Sequence, residues 1–124
     1  MLSVFLAFLY YKNYYSIKVA APDLAHAYSK NIQAADKVYL DKEVEIKGQV
    51  KNYHNPLNSR AAMELRTYKG DIPLFCLFLN KEDNYTASKL KENQSITIKG
   101  KCVGISKYNS IICIQIEVNE ITTM

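Results

Sequence analysis

Two segments of the sequence share one strand-like pattern that glycine interrupts at the same point. Glu43 to Val50 reads EVEIKGQV, and Ser95 to Gly104 reads SITIKGKCVG. Apolar and polar residues alternate in both, which is typical of a strand with one buried and one exposed face. Gly48 and Gly100 break the alternation, and a glycine at such a position usually marks a bulge or a sharp bend. Because bends let a sheet curl, the repeat predicts a small closed β-barrel.

The size and charge of the chain limit what it can be. With 124 residues, of which 48% are hydrophobic, it can bury the core of a single domain. Its 16 Lys and Arg exceed its 12 Asp and Glu by only four. A protein dedicated to binding phosphate backbones usually has a larger excess, so the charge favours polyanions only weakly.

Apolar residues between about Pro22 and Lys37 recur at the three- and four-residue steps of a helix. Pro22 suits the first turn of a helix, and Asp23 complements its positive end. The sequence therefore predicts one amphipathic helix docked on the barrel. Its apolar stripe consists of Leu24, Ala27, Tyr28, Ile32, Ala35 and Val38.

The rest of the chain predicts five strands and a second helix. The second strand has Met63 and Leu65 facing inward, and the third is apolar on both faces, as expected for a strand that is covered on each side. Asn80 caps the second helix with Asp83 as its partner, and Asn93 ends it in a left-handed conformation. The predicted strands are Lys42–Asn52, Ala62–Lys69, Ile72–Leu79, Ser95–Gly104 and Ser110–Val118, and the helix is Asn80–Glu92.

Three strands, a helix and two further strands are the element order of the OB-fold, a five-stranded Greek-key barrel. From about Asp23 to Val118 the chain resembles the tRNA-anticodon-binding-like OB-fold family of small bacterial proteins, many of them membrane-anchored or lipoprotein-like. The matching phrases are DLAHAYSKNIQAADKVYLDK, VEIKGQV, FCLF, LKENQSITIKGKCVG and IICIQIEV. The chain departs from the family at Asn93, where members tend to carry glycine. The resemblance implies a mainly β fold related to nucleic-acid-binding domains.

The N-terminus contains an uncharged apolar run of ten residues, Leu2 to Tyr11. A helix needs roughly 20 apolar residues to span a bilayer, so this run cannot span alone. We interpret residues 1–20 as a lead-in that begins with the remnant of a membrane anchor or export signal, and residues 21–124 as the OB-fold domain. The alternative is an apolar segment that packs on the domain. We expect a cell-envelope location, but Lys12 and Lys18 favour the cytoplasmic side.

Three cysteines, Cys76, Cys102 and Cys113, lie in apolar strand-like runs. Buried free thiols are one explanation. The other is an oxidising compartment with one disulfide, for which Cys102 and Cys113 could face each other across the last hairpin. The two differ in phase relative to their inward neighbours, so a bulge after Gly100 would have to realign them. Cys76 is an equally open partner.

The binding surface of an OB-fold lies on the outward face of strands two and three, flanked by the loops after strands one and four. Aromatic rings there can stack on bases and cations can hold phosphates, which indicates single-stranded nucleic acid. An envelope adaptor that binds a protein, peptide or glycan in the same groove is the alternative. The candidate residues are Tyr53, Arg60, Arg66, Tyr68, Lys107 and Tyr108, with His54 beside them.

Nothing in the sequence indicates catalysis or a cofactor. The only histidines, His26 and His54, are far apart, and no Ser/His/Asp or Cys/His motif or phosphate-binding glycine loop occurs. The cysteines lack the CxxC spacing of a zinc site. We expect a non-catalytic binding module without metal or cofactor, and the sequence does not indicate its oligomeric state.

Overall fold

The computed structural model describes residues 16–123, which form six strands and three helices. The protein is mainly β, as predicted. The elements are β1 (Ile17–Ala20), α1 (Ala21–Lys30), α2 (Ile32–Tyr39), β2 (Glu43–His54), β3 (Ala62–Leu65), β4 (Leu74–Phe78), α3 (Lys81–Ser88), β5 (Ser95–Tyr108) and β6 (Ile111–Thr123).

The apolar run that we interpreted as an anchor or signal remnant lies outside the described residues. Within residues 16–123, the helices are all too short or too polar to cross a membrane.

The six strands form one sheet in the order β1-β2-β3-β4-β6-β5, and β2 also pairs with β5. Five strands therefore form a closed ring of pairings. Strands β4 and β6 are parallel, and the other pairs in the ring are antiparallel. The sequence predicted five strands, which is one too few, because β1 adds to β2 in parallel from Ile17 opposite Val44 to Ala20 opposite Lys47.

The two glycine-marked strands bend differently. In β5 the register with β6 shifts between Lys99 and Gly100 and again between Cys102 and Gly104, so the predicted bulge at Gly100 is confirmed. In β2 the register with β5 runs without a shift from Glu43 to Gln49, past Gly48. The irregularity in β2 comes later, between Val50 and Asn52.

Gly48 has a different role, because it lets α1 begin directly against β2. A Cβ atom added at Gly48 would lie 2.8 Å from the Cβ of Ala21 and 3.3 Å from Cδ1 of Leu65. Ala21 and Leu65 are both buried, so neither neighbour has free space to move into. Only a residue without a side chain fits this crossing.

The predicted single helix is wrong: two helices meet at Asn31. The backbone of Asn31 is extended, with φ −161° and ψ 104°, and its side chain accepts a hydrogen bond of 3.0 Å from the N–H of Ala34. An asparagine side chain that caps a new helix competes with continuation of the old one, which explains the break. Pro22 and Asp23 lie in the first turn of α1, as predicted.

The break changes which apolar residues are buried. Leu24 and Tyr28 of α1 are fully buried, but Ala35 is the one buried residue of α2. Ile32 and Val38 are 45% and 47% exposed, so their predicted place in the buried stripe is wrong. The new direction of the chain after Asn31 turns that part of the stripe away from the core.

The cap of α3 is confirmed, although the helix is shorter than predicted. The Asn80 side chain accepts from the N–H of Asp83 at 2.7 Å and donates to the Asp83 carboxylate at 2.9 Å. The helix ends at Ser88 rather than Glu92. Asn93 adopts the predicted left-handed conformation with φ 69°. Its N–H donates to the carbonyl of Val50 at 2.7 Å, which ties the connection to β2.

The last two strands are longer than predicted and form one long hairpin. Asn109 and Ser110 connect them with φ angles of 51° and 73°, the two-residue turn whose positive φ values suit the twist of paired strands. The alternation of the last strand predicts that Ile112, Ile114, Ile116 and Val118 face inward. Ile112 lies in the outer part of this hairpin and is 56% exposed, so its predicted orientation is wrong. Further along, Ile114 and Ile116 are buried as predicted.

The strand β4 is buried on both faces, as its sequence predicted. Leu74, Cys76 and Phe78 join the main core inside the ring, together with Met63 and Leu65 of β3. The alternate residues of β4 belong to a second, smaller buried group on the outer face of the sheet. We call it the outer cluster, and its members are Ala62, Phe75, Leu77, Tyr108 and Cys113.

The crossing at Gly48 can be tested by substitution. We expect Gly48→Ala to lower the free energy of unfolding by about 1–3 kcal/mol, the usual cost of overpacking, although alanine ordinarily suits a strand better than glycine. Urea unfolding of Gly48→Ala, Ala21→Gly and the double variant gives the measurement. Removing the Cβ of Ala21 should recover much of the loss in the double variant, whereas strictly additive effects would contradict the proposed contact.

Candidate nucleic-acid interface

Three rings pack against one another on the outer face of β3 and β4. The ring centroid of Phe75 lies 4.9 Å from that of Tyr108 and 5.1 Å from that of His54, and the His54 and Tyr108 rings are 6.2 Å apart. The Tyr108 hydroxyl donates a hydrogen bond of 2.6 Å to the carbonyl oxygen of Arg60. The hairpin β5–β6 is thereby fixed to the loop that precedes β3.

Glu64 is the one buried polar or charged side chain within residues 16–123, with 8% of its surface exposed. It lies beside the outer cluster, in the position of β3 paired with Phe75. Its carboxylate contacts Nζ of Lys51 at 3.3 Å and Nε2 of His54 at 3.1 Å. A carboxylate removed from water is costly unless it is paired, and these two partners provide the compensation.

A pocket of about 320 Å³ opens beside the rings, between the loop that follows β2 and the tip of the β5–β6 hairpin. We call it the outer pocket. Asn55 and Asn109 lie on its two sides, and neither side chain has a hydrogen-bond partner in the described part of the chain. The lining residues are Tyr53, His54, Asn55, Pro56, Tyr108, Asn109 and Ile111.

Four of the six predicted site residues lie at or next to the outer pocket. Tyr53 and Tyr108 line it, although Tyr108 is only 5% exposed. The hydroxyl of Tyr53 donates to Oδ1 of Asn84 at 2.5 Å, which anchors it to α3. Lys107 precedes Tyr108 and is exposed. Arg60 is joined through its carbonyl to Tyr108, and its Nη2 donates to the carbonyl of Phe78 at 3.2 Å.

The structure does not bring Arg66 and Tyr68 to this pocket. The guanidinium of Arg66 bonds Oδ1 of Asn93 at 2.5 Å and Oε1 of Glu92 at 2.6 Å. Tyr68 contacts α1: its ring packs edge-on against His26 at 6.0 Å, and its hydroxyl donates to Asp23 at 3.4 Å.

Sequence reasoning missed Glu64, Asn55 and Asn109 as residues of the site. The alternation of β3 places Glu64 on the outer face, and the signal that this face is covered lies in the neighbouring strand β4, whose sequence is apolar on both faces. Asn109 and Ser110 between two β-branched strands are a recognisable two-residue turn, and this signal could have located the rim of the pocket.

The three cysteines are free and buried, so the disulfide considered between Cys102 and Cys113 is not formed. Cys102 pairs with Ile116 and lies in the main core, whereas Cys113 pairs with Ser106 and lies in the outer cluster. The bulge between Cys102 and Gly104 does not bring the two side chains to the same face of the sheet. Cys102 faces the main core, and Cys113 faces the outer cluster.

Burial disfavours the thiolate form of these cysteines. It raises the pKa of Cys113 to about 11 and also raises the pKa values of Cys76 and Cys102. All three thiols are therefore neutral at physiological pH. Among residues 16–123, no group of three or more His, Cys, Asp or Glu side chains is arranged to hold a metal ion.

A comparison with protein-family models matches the tRNA_anti-like family over residues 10–115. The chain belongs to the tRNA_anti-like family. The match includes β2, the loop after it and the tip of the β5–β6 hairpin, and therefore every element that forms the outer pocket. No curated protein sequence matches the chain.

Solved structures similar to this tRNA_anti-like protein show the same kind of fold. Two are of asparaginyl-tRNA synthetase from Pyrococcus horikoshii. One has a TM-score of 0.55, 15% identity and coverage of 86% of this chain and 23% of the synthetase. The other, complexed with asparaginyl-adenylate, has a TM-score of 0.53, 15% identity and coverage of 70% and 20%.

The OBody AM3L09 bound to hen egg-white lysozyme is also similar, with a TM-score of 0.53, 16% identity and coverage of 70% of this chain and 85% of the OBody. The chain spans only about a fifth of the length of the synthetase, and at these identities the likeness shows an OB-fold and nothing more.

Thiol reactivity tests the burial of the cysteines in this tRNA_anti-like protein. Since the thiolate is the reactive form, moving the pKa of Cys113 from 9.0 to about 11 lowers its thiolate fraction about a hundredfold near pH 8. We expect iodoacetamide to label the native protein very slowly and to label three cysteines in urea. Peptide mass mapping gives the sites, and rapid native labelling of Cys113 would contradict its burial.

The same shift predicts how stability depends on pH. The folded-state pKa of Cys113 lies above its unfolded value, so the stabilisation is complete below pH 9 and is lost as the pH rises towards 11. Urea unfolding between pH 8 and pH 10.5 should show this fall, and Cys113→Ala should show a smaller one. An unchanged slope in the variant would contradict the assignment to Cys113.

Proposed function

We propose that this protein is a non-catalytic module that binds single-stranded nucleic acid at the outer pocket. The observation that carries the proposal is the meeting of aromatic rings and cations where the loop after β2 faces the β5–β6 hairpin. Tyr53, His54 and Tyr108 line the pocket, and Arg60 and Lys107 adjoin it. Rings that stack on bases beside cations that hold phosphates are the common equipment of single-strand binding proteins.

The topology and the family support this proposal. We infer that β2, β3, β4, β6 and β5 are the five strands of an OB-fold Greek-key barrel, with β1 as an addition. In OB-folds the loops after the first and fourth barrel strands flank the ligand. Here those connections are the loop after β2 and the turn at Asn109 and Ser110, which are the two sides of the outer pocket.

The charges around the pocket support moderate rather than strong binding of a polyanion. Lys51 is already paired with Glu64, so Arg60 and Lys107 are the cations available to phosphates. In single strands, each neutralised phosphate contributes about −0.7 to the slope of log affinity against log salt. Two such contacts give a slope of about −1.4, a weak salt dependence by the standards of proteins that bind nucleic acid through many cations.

A protein or peptide ligand is the second candidate. Three exposed apolar side chains lie near the pocket rim: Leu57 is 102% exposed, Ile111 is 44% exposed and Ile112 is 56% exposed. Such exposed apolar residues suit a protein surface better than a phosphate backbone or a glycan. The OBody AM3L09, which has a similar fold, is bound to lysozyme. This second candidate corresponds to the envelope adaptor that the sequence suggested as an alternative, and we propose a location in the cell envelope as part of it.

Fluorescence anisotropy with labelled single-stranded DNA and RNA tests the first proposal. We expect binding that weakens with salt at a slope of about −1.4, and we expect the slope to approach zero in Arg60→Ala with Lys107→Ala. The matched control is Lys30→Ala with Lys37→Ala, which removes the same charge from α1 and α2. Absence of binding at low salt would contradict the proposal and favour the protein or peptide ligand.

A further inference from the structure

The outer pocket is sized and lined for a small planar group. Its volume of about 320 Å³ is at the lower end of the roughly 300–1,000 Å³ typical of small-molecule pockets. Its walls combine rings with the amides of Asn55 and Asn109, which carry both donors and acceptors. Single-stranded nucleic acid is recognised by stacking an unpaired base on a ring and bonding its polar edge.

The ring of His54 forms part of this pocket and is held from behind. Its Nε2 lies 3.1 Å from the Glu64 carboxylate, and because an ionised carboxylate can only accept, we expect this nitrogen to carry the hydrogen. Phe75 and Tyr108 pack against the same ring at 5.1 Å and 6.2 Å. Lys51 shares the carboxylate at 3.3 Å, which keeps Glu64 in place.

We infer that the outer pocket takes one unpaired nucleobase, and that Glu64 is a positioning residue that fixes the His54 ring as a wall of that pocket. The inference rests on the proposed function and deepens it, because it separates base recognition in the pocket from the phosphate contacts of Arg60 and Lys107. It also explains why a carboxylate is buried on the outer face of the sheet. Without Glu64, the ring would lose the hydrogen bond that fixes its orientation in the pocket.

The four nucleoside 5′-monophosphates and ribose 5-phosphate are a matched set of probes, because they differ in whether a base is present. Protein-observed NMR titration measures each affinity. We expect the nucleotides to shift the amide signals of residues 53–55 and 108–111 and to bind about 5- to 150-fold more tightly than ribose 5-phosphate, the factor that corresponds to stacking of one base.

Variants of the two residues test their roles. His54→Ala and Glu64→Ala should both reduce the ratio of nucleotide to ribose 5-phosphate affinity severalfold or more, whereas Glu64→Gln, which keeps an acceptor for Nε2, should retain most of it. Both affinities in the ratio are measured on the same variant. A general loss of folded protein therefore affects both equally and leaves their ratio unchanged. The matched control is His26→Ala, which removes a histidine outside the pocket. Like His54, His26 contacts a carboxylate and a tyrosine: Asp71 lies at 3.1 Å, and the Tyr68 ring packs against it.

The outcomes separate this inference from the proposed function. Equal affinities for nucleotides and ribose 5-phosphate would overturn the base pocket, even if oligonucleotides bind. Binding of nucleotides without binding of oligonucleotides would support the pocket and overturn the proposed function.

The role of Glu64 has a test that does not depend on the folding of a variant. The ¹⁵N signals of the His54 ring in the native protein should show the hydrogen on Nε2. A neutral ring with its hydrogen on Nδ1 would overturn the positioning by Glu64.

Discussion

The pairing of β2 with β5 is the constraint on which the rest of the structure depends. It joins seven residue pairs, from Glu43 opposite Lys101 to Gln49 opposite Ser95, and closes the ring. The apolar residues of these two strands, among them Ile46 and Ile98, are fully buried only because the other strands complete the wall around them. β5 must also pair with β6 along nearly its whole length, and its two register shifts allow both pairings. The second shift includes Gly104, whose φ of 84° few other residues adopt.

The two-sided burial of β4 connects the core to the candidate site. A strand with one polar face would leave the outer surface of the sheet in water, but Phe75 and Leu77 are apolar and point outward. Covering them requires side chains from elsewhere, and Tyr108 provides one such cover from the end of β5. The hydroxyl of Tyr108 then bonds the loop before β3, so the hairpin and the loop are held at a fixed separation. The outer pocket is the space left between them, and packing around Phe75 therefore sets its shape.

Prediction from sequence succeeded where a local signal was strong. The strands from Glu43 and Ser95, the cap at Asn80 and the left-handed Asn93 follow from alternation, side-chain capping and backbone preference, and all are present. The prediction of a single long helix is wrong at Asn31. Hydrophobic periodicity does not reveal that the Asn31 side chain caps a new helix in the middle of the apolar stripe. The candidate site was predicted in part. Tyr53 and Tyr108 both line the outer pocket, but Arg66 and Tyr68 bond Glu92 and Asp23, which lie 26 and 45 residues away in sequence. No local pattern reveals such contacts.

The sequence by itself determined that this chain forms a mainly β domain of the tRNA_anti-like family, since the alternation in β2 and β5 and the glycine at the β5 bulge are local features. Only the tertiary structure decided which outward-facing residues become a site. Glu64 is polar in a strand pattern and would ordinarily be exposed, yet it is buried because Lys51, His54 and the outer cluster surround it. The same closure places Cys102 and Cys113 on different faces. Contacts between residues far apart in sequence depend on how strands are registered and twisted, and those quantities are fixed by the packing of the whole sheet.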